Sequence, residues 1–424
     1  MNQSGTVEPA AVVMAAGKST RMKSDLPKVL HSLCGQPLLA YVLTALDEAG
    51  VGRKVVVVGY RAELVQEQFK DWPGVEFVEQ KEQRGTGHAV MCAESALKGH
   101  DGPVVVIAGD MPLVRGEMIR QMIDRLTATK SAAILGTALV SDPFGMGRII
   151  RDKENSFVRI VEQRDATPEE AAIKEINPSF YAFDGAALFA ALKKVGTGNV
   201  QGEYYLTDVP AILKADGKAV RAEILADEVD AYGINDRRQL AKTHELMQQR
   251  IQDRLMLEGV TIVDPRSTYI DARAKIGRDT VIRPFTMIEG PCEIGSACIV
   301  GPFTHLRPYT TLADDVKLGA FVQVVRSTIG AGSQAIHLAY LGDTTVGERV
   351  NIGAGVITAN FDRKIKSPTT IDSDAFLGSG AVLVAPVHIG ADATVGAGAV
   401  VTKHHDVRPG ETVAGVPARP MKRG

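Results

Sequence analysis

Across 424 residues there is a single tryptophan, and there are only four cysteines. No apolar run approaches the ~20 residues that a membrane span requires, and no charged segment precedes an apolar core, so nothing reads as a span or a leader. Cys34, Cys92, Cys292 and Cys298 are too few for a disulfide framework in a chain of this length and fit no zinc spacing, which points to reduced thiols in a cytoplasmic protein. A strong charge of either sign is missing too. The formal net charge of −2 gives no electrostatic case for nucleic acid or a membrane surface, so any basic cluster should serve a small anionic molecule. Glycine, by contrast, is plentiful at 42 residues and predicts many tight turns in part of the chain. With 45% hydrophobic and 23% charged residues the composition is that of a globular protein, and the length implies two or three domains.

Residues 1–234 alternate strand and helix patterns. The apolar runs 10–15, 54–58 and 104–108 each lead into a polar or Gly-bearing loop, as in a doubly wound (Rossmann-like) α/β domain whose ligand sits at the carboxyl ends of the strands. Residues 235–259 keep helical spacing without proline and predict one connecting helix. A different period then sets in. Every sixth residue from Ile270 to Leu318 is aliphatic, and the pattern resumes from Ile371 to Val413. A six-residue aliphatic repeat marks a parallel β-helix over 260–416. Its phase slips predict inserted loops near 320–345 and 358–370, and insertions tend to lie on a solenoid's working face. The tail 417–424 is basic and expected to fray.

In "VVMAAGKSTRMKSDLPKVLHSLCGQP" an apolar strand runs into a Gly-containing loop flanked by Lys18, Arg21 and Lys28. Backbone N–H groups at a turn that opens a helix suit a triphosphate. "EQKEQRGTGHA" is a second Gly-rich loop, with Gln80, Gln83 and Thr86 able to hydrogen-bond a base edge. In "IAGDMPL" Asp110 ends an apolar strand, where a metal-binding carboxylate is expected in such a fold. His88 reads more simply as a packing or capping residue.

"AAGKSTRM", "LPKVLH", "EQRGTGHA", "GDMPL", "EINPSFYAFD" and "GNVQGEYYLTD" occur in the order found in the bacterial bifunctional N-acetylglucosamine-1-phosphate uridyltransferase/glucosamine-1-phosphate acetyltransferase family, which the chain resembles over essentially its whole length. The resemblance implies that Ala15, Ala16, Gly17, Arg21 and Lys28 hold UTP, that Gln80, Gly85 and Thr86 read uracil, and that Gly147, Glu162, Asn177 and Asn235 hold the sugar. Asp110 and Asn235 would bind Mg2+. It also implies a left-handed β-helix, a homotrimer with acetyl-transfer sites between subunits, and a place in cell-wall precursor synthesis. The chemistry agrees: joining two anions needs positioning and charge neutralisation, and the phosphate nucleophile needs no base. Ser19, Ala108 and Pro178-Ser179 depart from the family pattern, the latter two near the expected sugar pocket.

Acetyl transfer from acetyl-CoA to an amine needs a base, a donor for the carbonyl oxygen and cations for the sugar phosphate. "HLAYLGDTTVGERVNIGAGVITANFD" resembles the family's acetyltransferase core. By that likeness His337 is the base, Arg307, Tyr340 and Lys366 hold the phosphate, and Asn351 and Asn360 contact the sugar amine and the intermediate. Asn360, Phe361, Ala354, Ser379 and Ala397 would line the acetyl-CoA groove. Val325 stands where the family has a phosphate-binding Lys, and Arg326, if it continued the strand, would point to the opposite face. Phe361 replaces a Tyr, Gly415 replaces an Arg, and the β-helix is shorter than usual before Arg307. Two alternatives follow: a nucleotidyltransferase whose β-helix is only a scaffold, and an acetyltransferase acting on a different amino sugar.

Overall fold

A computed structural model describes residues 7–18 and 20–421; Ser19 and the tail residues 422–424 lie outside the described residues. The chain divides into two compact units, Met1–His244 and Glu245–Gly424.

The first unit is built on a ten-stranded sheet. Val75–Glu79, Arg53–Val58, Ala10–Ala15 and Pro103–Ala108 lie side by side in parallel, and Phe180–Asp184 joins the last of them antiparallel. Alternation within each strand explains the two-sided packing. Ala11 and Val13 face one apolar core, against the helices Leu38–Glu48 and Gly116–Thr129. Ala10 and Val12 face the other, against Thr86–Cys92 and Gly185–Leu192. Because Ala10–Ala15 has successive partners on both sides, the strand order reverses at its carboxyl end, and a crevice opens there. The expected helix after the phosphate loop is not formed. Thr20–Met22 is a single 3-10 turn, another turn covers Lys28–Leu30, and the first α-helix begins at Leu38.

The second unit is a parallel β-helix of three stacked sheets, preceded by the helix Arg237–Leu257. Interior side chains stack coil on coil: Ile282, Val300, Leu318, Ala335, Ile352, Leu377, Val395 and Val413 form one buried column. Many corners turn through left-handed backbone at non-glycine residues, among them Asp279, Ala297 and Asp315, and Phe285, Phe303 and Phe321. Such a conformation costs about 1–2 kcal/mol per residue for an L-amino acid, so the stacked coils must impose it.

The phase slips have two different origins. Leu306 pairs with Val324, 18 residues on, but Val324 pairs with Leu341, 17 on, and Thr358 with Leu383, 25 on. The expected insertion near 320–345 is therefore wrong: coils there lose a residue, and their corners tighten. The insertion near 358–370 is real, a hairpin closed by a bridge between Phe361 and Lys366. Nor is the tail wholly frayed, since Arg419–Pro420 pairs back on Thr412–Ala414.

Candidate active sites

The reversal crevice of the first unit contains a cleft of about 340 Å3 lined by Ala15, Ala16, Gly17, Lys28, Gln80, Gly85, Thr86, Ala108 and Asp110, with Ser179 and Glu203. Four side chains from distant parts of the sequence meet at its edge. Lys28 is ion-paired to Asp110, and its ammonium donates to Asn235 Oδ1 at 3.4 Å; Arg21 Nη2 donates to the same oxygen at 2.9 Å. Asp110 and Asn235 thus offer two hard oxygen donors spanned by one ammonium, and that donor chemistry fits Mg2+. No cluster of three His, Cys, Asp or Glu occurs among the described residues, so such an ion would complete its shell with water and phosphate oxygens.

The second Gly-rich loop is braced from within. Gln80, 4% exposed, donates from Nε2 to Gly85 O at 3.1 Å and lies 3.0 Å from His88 Nδ1. The amide orientation fixed by Gly85 makes that ring nitrogen an acceptor, so His88 braces the loop. Gln83, read as able to reach a base edge, lines the cleft and also donates to Ala16 O at 2.7 Å, which ties the two loops together. Gly85 has φ +106°, and a Cβ there would lie 2.6 Å from Tyr204 O, so both the backbone and the space demand glycine.

Gly147, Glu162 and Asn177 also come together. Asn177 pairs with Gly147 across strands, and a Cβ at Gly147 would be 3.6 Å from both Glu162 Oε1 and Asn177 Cβ. Asn177 Nδ2 donates to Tyr181 Oη at 2.6 Å, while its Oδ1 is buried without a partner among the described residues. An orphaned buried acceptor is costly unless a ligand satisfies it. Thr207 donates to Glu162 at 3.2 Å, and burial pushes the Glu162 carboxyl above its usual range. Tyr181 and Thr207 were missed in the sequence. Each lies inside a quoted segment, Tyr181 in "EINPSFYAFD" and Thr207 in "GNVQGEYYLTD", but nothing local marks the role of either side chain.

In the β-helix the tightened corners and the hairpin stack in successive coils. Arg326 and Asp343 both adopt left-handed backbone, and Arg326 donates to Asp343 through Nε at 2.6 Å and Nη2 at 2.8 Å. Asn360 Nδ2 donates to the same carboxylate. Arg326 first and then Asn360 hold the Asp343 carboxyl below its usual range against the cost of burial, and the charge of Lys366 adds to this. A Cβ at Gly342 would lie 2.7 Å from both Asn360 Nδ2 and Tyr340 Oη, so those two groups converge over a bare backbone. Asn351 accepts from Gln334 at 2.8 Å, and Arg307 lies 3.9 Å from a Glu289 oxygen. His337 is exposed at the end of a strand, and no hydrogen bond or ion pair among the described residues links it to Asn360, Tyr340 or Arg307. Lys366 and Phe361 are exposed on the hairpin. Ala354, Ser379 and Ala397 line up at one corner, through Gly380 N to Ala354 O at 2.7 Å and Gly398 N to Ser379 O at 2.8 Å.

Residues 11–198 match the MobA-like NTP transferase domain, and 273–308 and 368–403 match the bacterial transferase hexapeptide (six repeats). Over 89% of this chain, the bifunctional protein GlmU of Geobacter metallireducens is 42% identical, with 90% of its own length covered. Those of Pelotomaculum thermopropionicum and Lactococcus lactis subsp. lactis are each 44% identical over 89% of this chain, with 90% and 89% of their lengths covered. The chain belongs to the GlmU family. A solved UDP-glucose pyrophosphorylase complexed with UDP-glucose is similar over 58% of the chain at 19% identity and a TM-score of 0.47, a likeness too slight to add to this. As in a GlmU protein, the fold joins a doubly wound nucleotidyltransferase domain to a left-handed β-helix.

Its departures now have places. Ala108 and Ser179 line the same cleft, Ala108 N donates to Ser179 O at 3.3 Å, and Ser179 has a left-handed backbone (φ +70°). Val325 is 2% exposed and ends its strand. The expectation for Arg326 is corrected by the same observation. The strand stops before it, so strand alternation does not apply, and the tightened corner turns its guanidinium onto Asp343.

Proposed function

We propose that this GlmU-family chain carries two group transfers, one in each unit. In the first, UTP and N-acetylglucosamine-1-phosphate give UDP-N-acetylglucosamine and pyrophosphate. The reading rests on one observation, the meeting of Lys28, Asp110, Asn235 and Arg21 at the strand-order reversal. Lys28 and Arg21 hold the triphosphate by charge, the loop Ala15-Ala16-Gly17 by backbone N–H groups, and Gln80, Gly85 and Thr86 place the base. Gly147, Glu162 and Asn177 hold the sugar, with Asn177 Oδ1 as an acceptor awaiting a hydroxyl or amide. A phosphate oxygen of the sugar attacks the α-phosphorus as the bond to pyrophosphate breaks, and no proton need be removed. Asp110 and Asn235 would hold Mg2+, which when bound would supply charge neutralisation for the phosphates. Asp110→Ala should abolish pyrophosphate release without changing the melting transition, and near-wild-type release would show the assignment wrong. A panel of sugar-1-phosphates tests whether Ala108 and Ser179 have changed the preference.

In the β-helix, the amine of glucosamine-1-phosphate attacks the acetyl carbonyl of acetyl-CoA. A C–N bond forms, the C–S bond breaks, CoA leaves as the thiol, and His337 takes the ammonium proton. Arg307, Tyr340 and Lys366 hold the phosphate, Asn351 and Asn360 the amine and the developing intermediate, and Ala354, Phe361, Ser379 and Ala397 the CoA groove. The uncharged, buried Val325 favours a second reading in which the β-helix is a scaffold or takes another amine. Thiol release from acetyl-CoA decides between them. Val325→Lys should lower the KM for the sugar phosphate with little change in kcat. No release by wild type or Val325→Lys, even with other amines offered, would leave the scaffold reading.

We infer a homotrimer formed through the β-helix. Support comes from Phe285, Phe303 and Phe321, 46–59% exposed and stacked with centroids 4.8 and 5.2 Å apart. A cytoplasmic setting fits the buried Cys292 and Cys298, whose thiols burial keeps protonated, that of Cys292 raised to about 11. No described helix is long and apolar enough to cross a membrane.

A further inference from the structure

We propose that Arg326 is a positioning residue for acetyl transfer: its guanidinium fork clamps Asp343, and Asp343 in turn fixes the amide of Asn360. This rests on the reading of the β-helix as an acetyltransferase. Three successive coils put Arg326, Asp343 and Asn360 in a column at one corner, because two of those corners are a residue short. Both carboxylate oxygens accept from Arg326, at 2.6 and 2.8 Å, and one of them also accepts from Asn360 Nδ2. The Asn360 side chain is therefore not free to turn over. Flipping it would set its oxygen against the Asp343 carboxylate, and the residue is only 7% exposed. The clamp commits Nδ2 to the protein and leaves Oδ1 as the atom available to accept from a substrate amine.

Gly342 completes the device. With no Cβ there, Asn360 and Tyr340 approach the same point, each 2.7 Å from where one would stand. Lys366 lies close enough to help hold Asp343 ionised, so the clamp joins the residues assigned to the amine with those assigned to the phosphate. Arg326 itself is already engaged by two short hydrogen bonds in a fork geometry. A direct ligand role would require the substrate phosphate to displace a carboxylate of matched shape.

The two roles separate kinetically. With the full-length protein, acetyl-CoA and glucosamine-1-phosphate, Arg326→Gln should lower the kcat of thiol release by about ten- to a hundredfold while KM for the sugar phosphate stays within about twofold. Arg326→Lys, which keeps the charge but not the fork, should recover part of the loss. In an Asn360→Ala background, Arg326→Gln should cost no further kcat, because the amide it positions is gone. Uridylyl transfer by the same preparations should stay at the wild-type rate. A raised KM at unchanged kcat would make Arg326 a substrate ligand and overturn the proposal, as would full additivity with Asn360→Ala. A wild type without thiol release at any substrate concentration removes the acetyltransferase reading and this inference together. An active wild type matched by Arg326→Gln removes the inference alone.

Discussion

At Glu162 two demands on one carboxylate compete. Burial raises its proton affinity in the folded chain above the ordinary value of 4.5, so the folded state binds that proton more tightly than the unfolded state does. Its contribution to stability is therefore greatest at low pH and is lost as pH rises from 4.5 through the raised value. Glu162→Gln should raise the melting temperature at pH values above the raised one, where the wild type carries the buried charge. The same change should raise KM for N-acetylglucosamine-1-phosphate by about tenfold or more, since a hydrogen bond to a charged group contributes about 1.5–3 kcal/mol. Calorimetry and steady-state kinetics on one preparation test both, and a lowered melting temperature would show that the carboxylate stabilises the fold. Gly342 sets the opposite kind of limit. Gly342→Ala puts a methyl 2.7 Å from two side-chain atoms, so thiol release should fall sharply with uridylyl transfer unchanged.

Among the elements, the hairpin after Thr358 is separable from the coil that bears it. The coil there spans 25 residues against 18 in its regular neighbours, so removing residues 361–367 restores the common repeat. That deletion should leave a cooperative melt and abolish acetyl transfer, because Lys366 goes with it. A chain that no longer melts cooperatively would make the hairpin a structural part of the solenoid. The tightened corners beneath it depend on charge. Asp343 is held below its usual 3.8 by Arg326 and Asn360, so the stability it contributes is present above that value and lost as pH falls through its lowered one. The melting-temperature advantage of wild type over Asp343→Asn should be complete near pH 5 and shrink steadily on acidification below 3.8.

For the whole molecule, two transfers in two units predict independent losses. Asp110→Ala should silence uridylyl transfer and spare thiol release, while His337→Ala should do the reverse. Cross-inactivation in either variant would mean that the two chemistries share more than a chain. Among the described residues no hydrogen bond or ion pair joins His337 to Asn360 or Tyr340, so the second activity should depend on the proposed trimer. Sedimentation should give three copies at micromolar concentration, and an active monomer would rule out sites shared between subunits.

Much of this was legible residue by residue. The alternation of strand and helix and the six-residue aliphatic period follow from local patterns, and each is a direct consequence of which side chains must leave water. The phosphate loop, Asp110 and the Gly-rich loop after Glu79 were marked by residue type and spacing. Sequence could not decide the direction of a phase slip, because a lost residue and a gained one both break the period; only the strand register shows that the corner at Arg326 is short. Nor could it show that Gln83 ties its loop to Ala16, or that Arg326 leaves its strand to reach Asp343. Those outcomes are set by groups far apart in the chain, where hydrogen-bond geometry selects one partner among many.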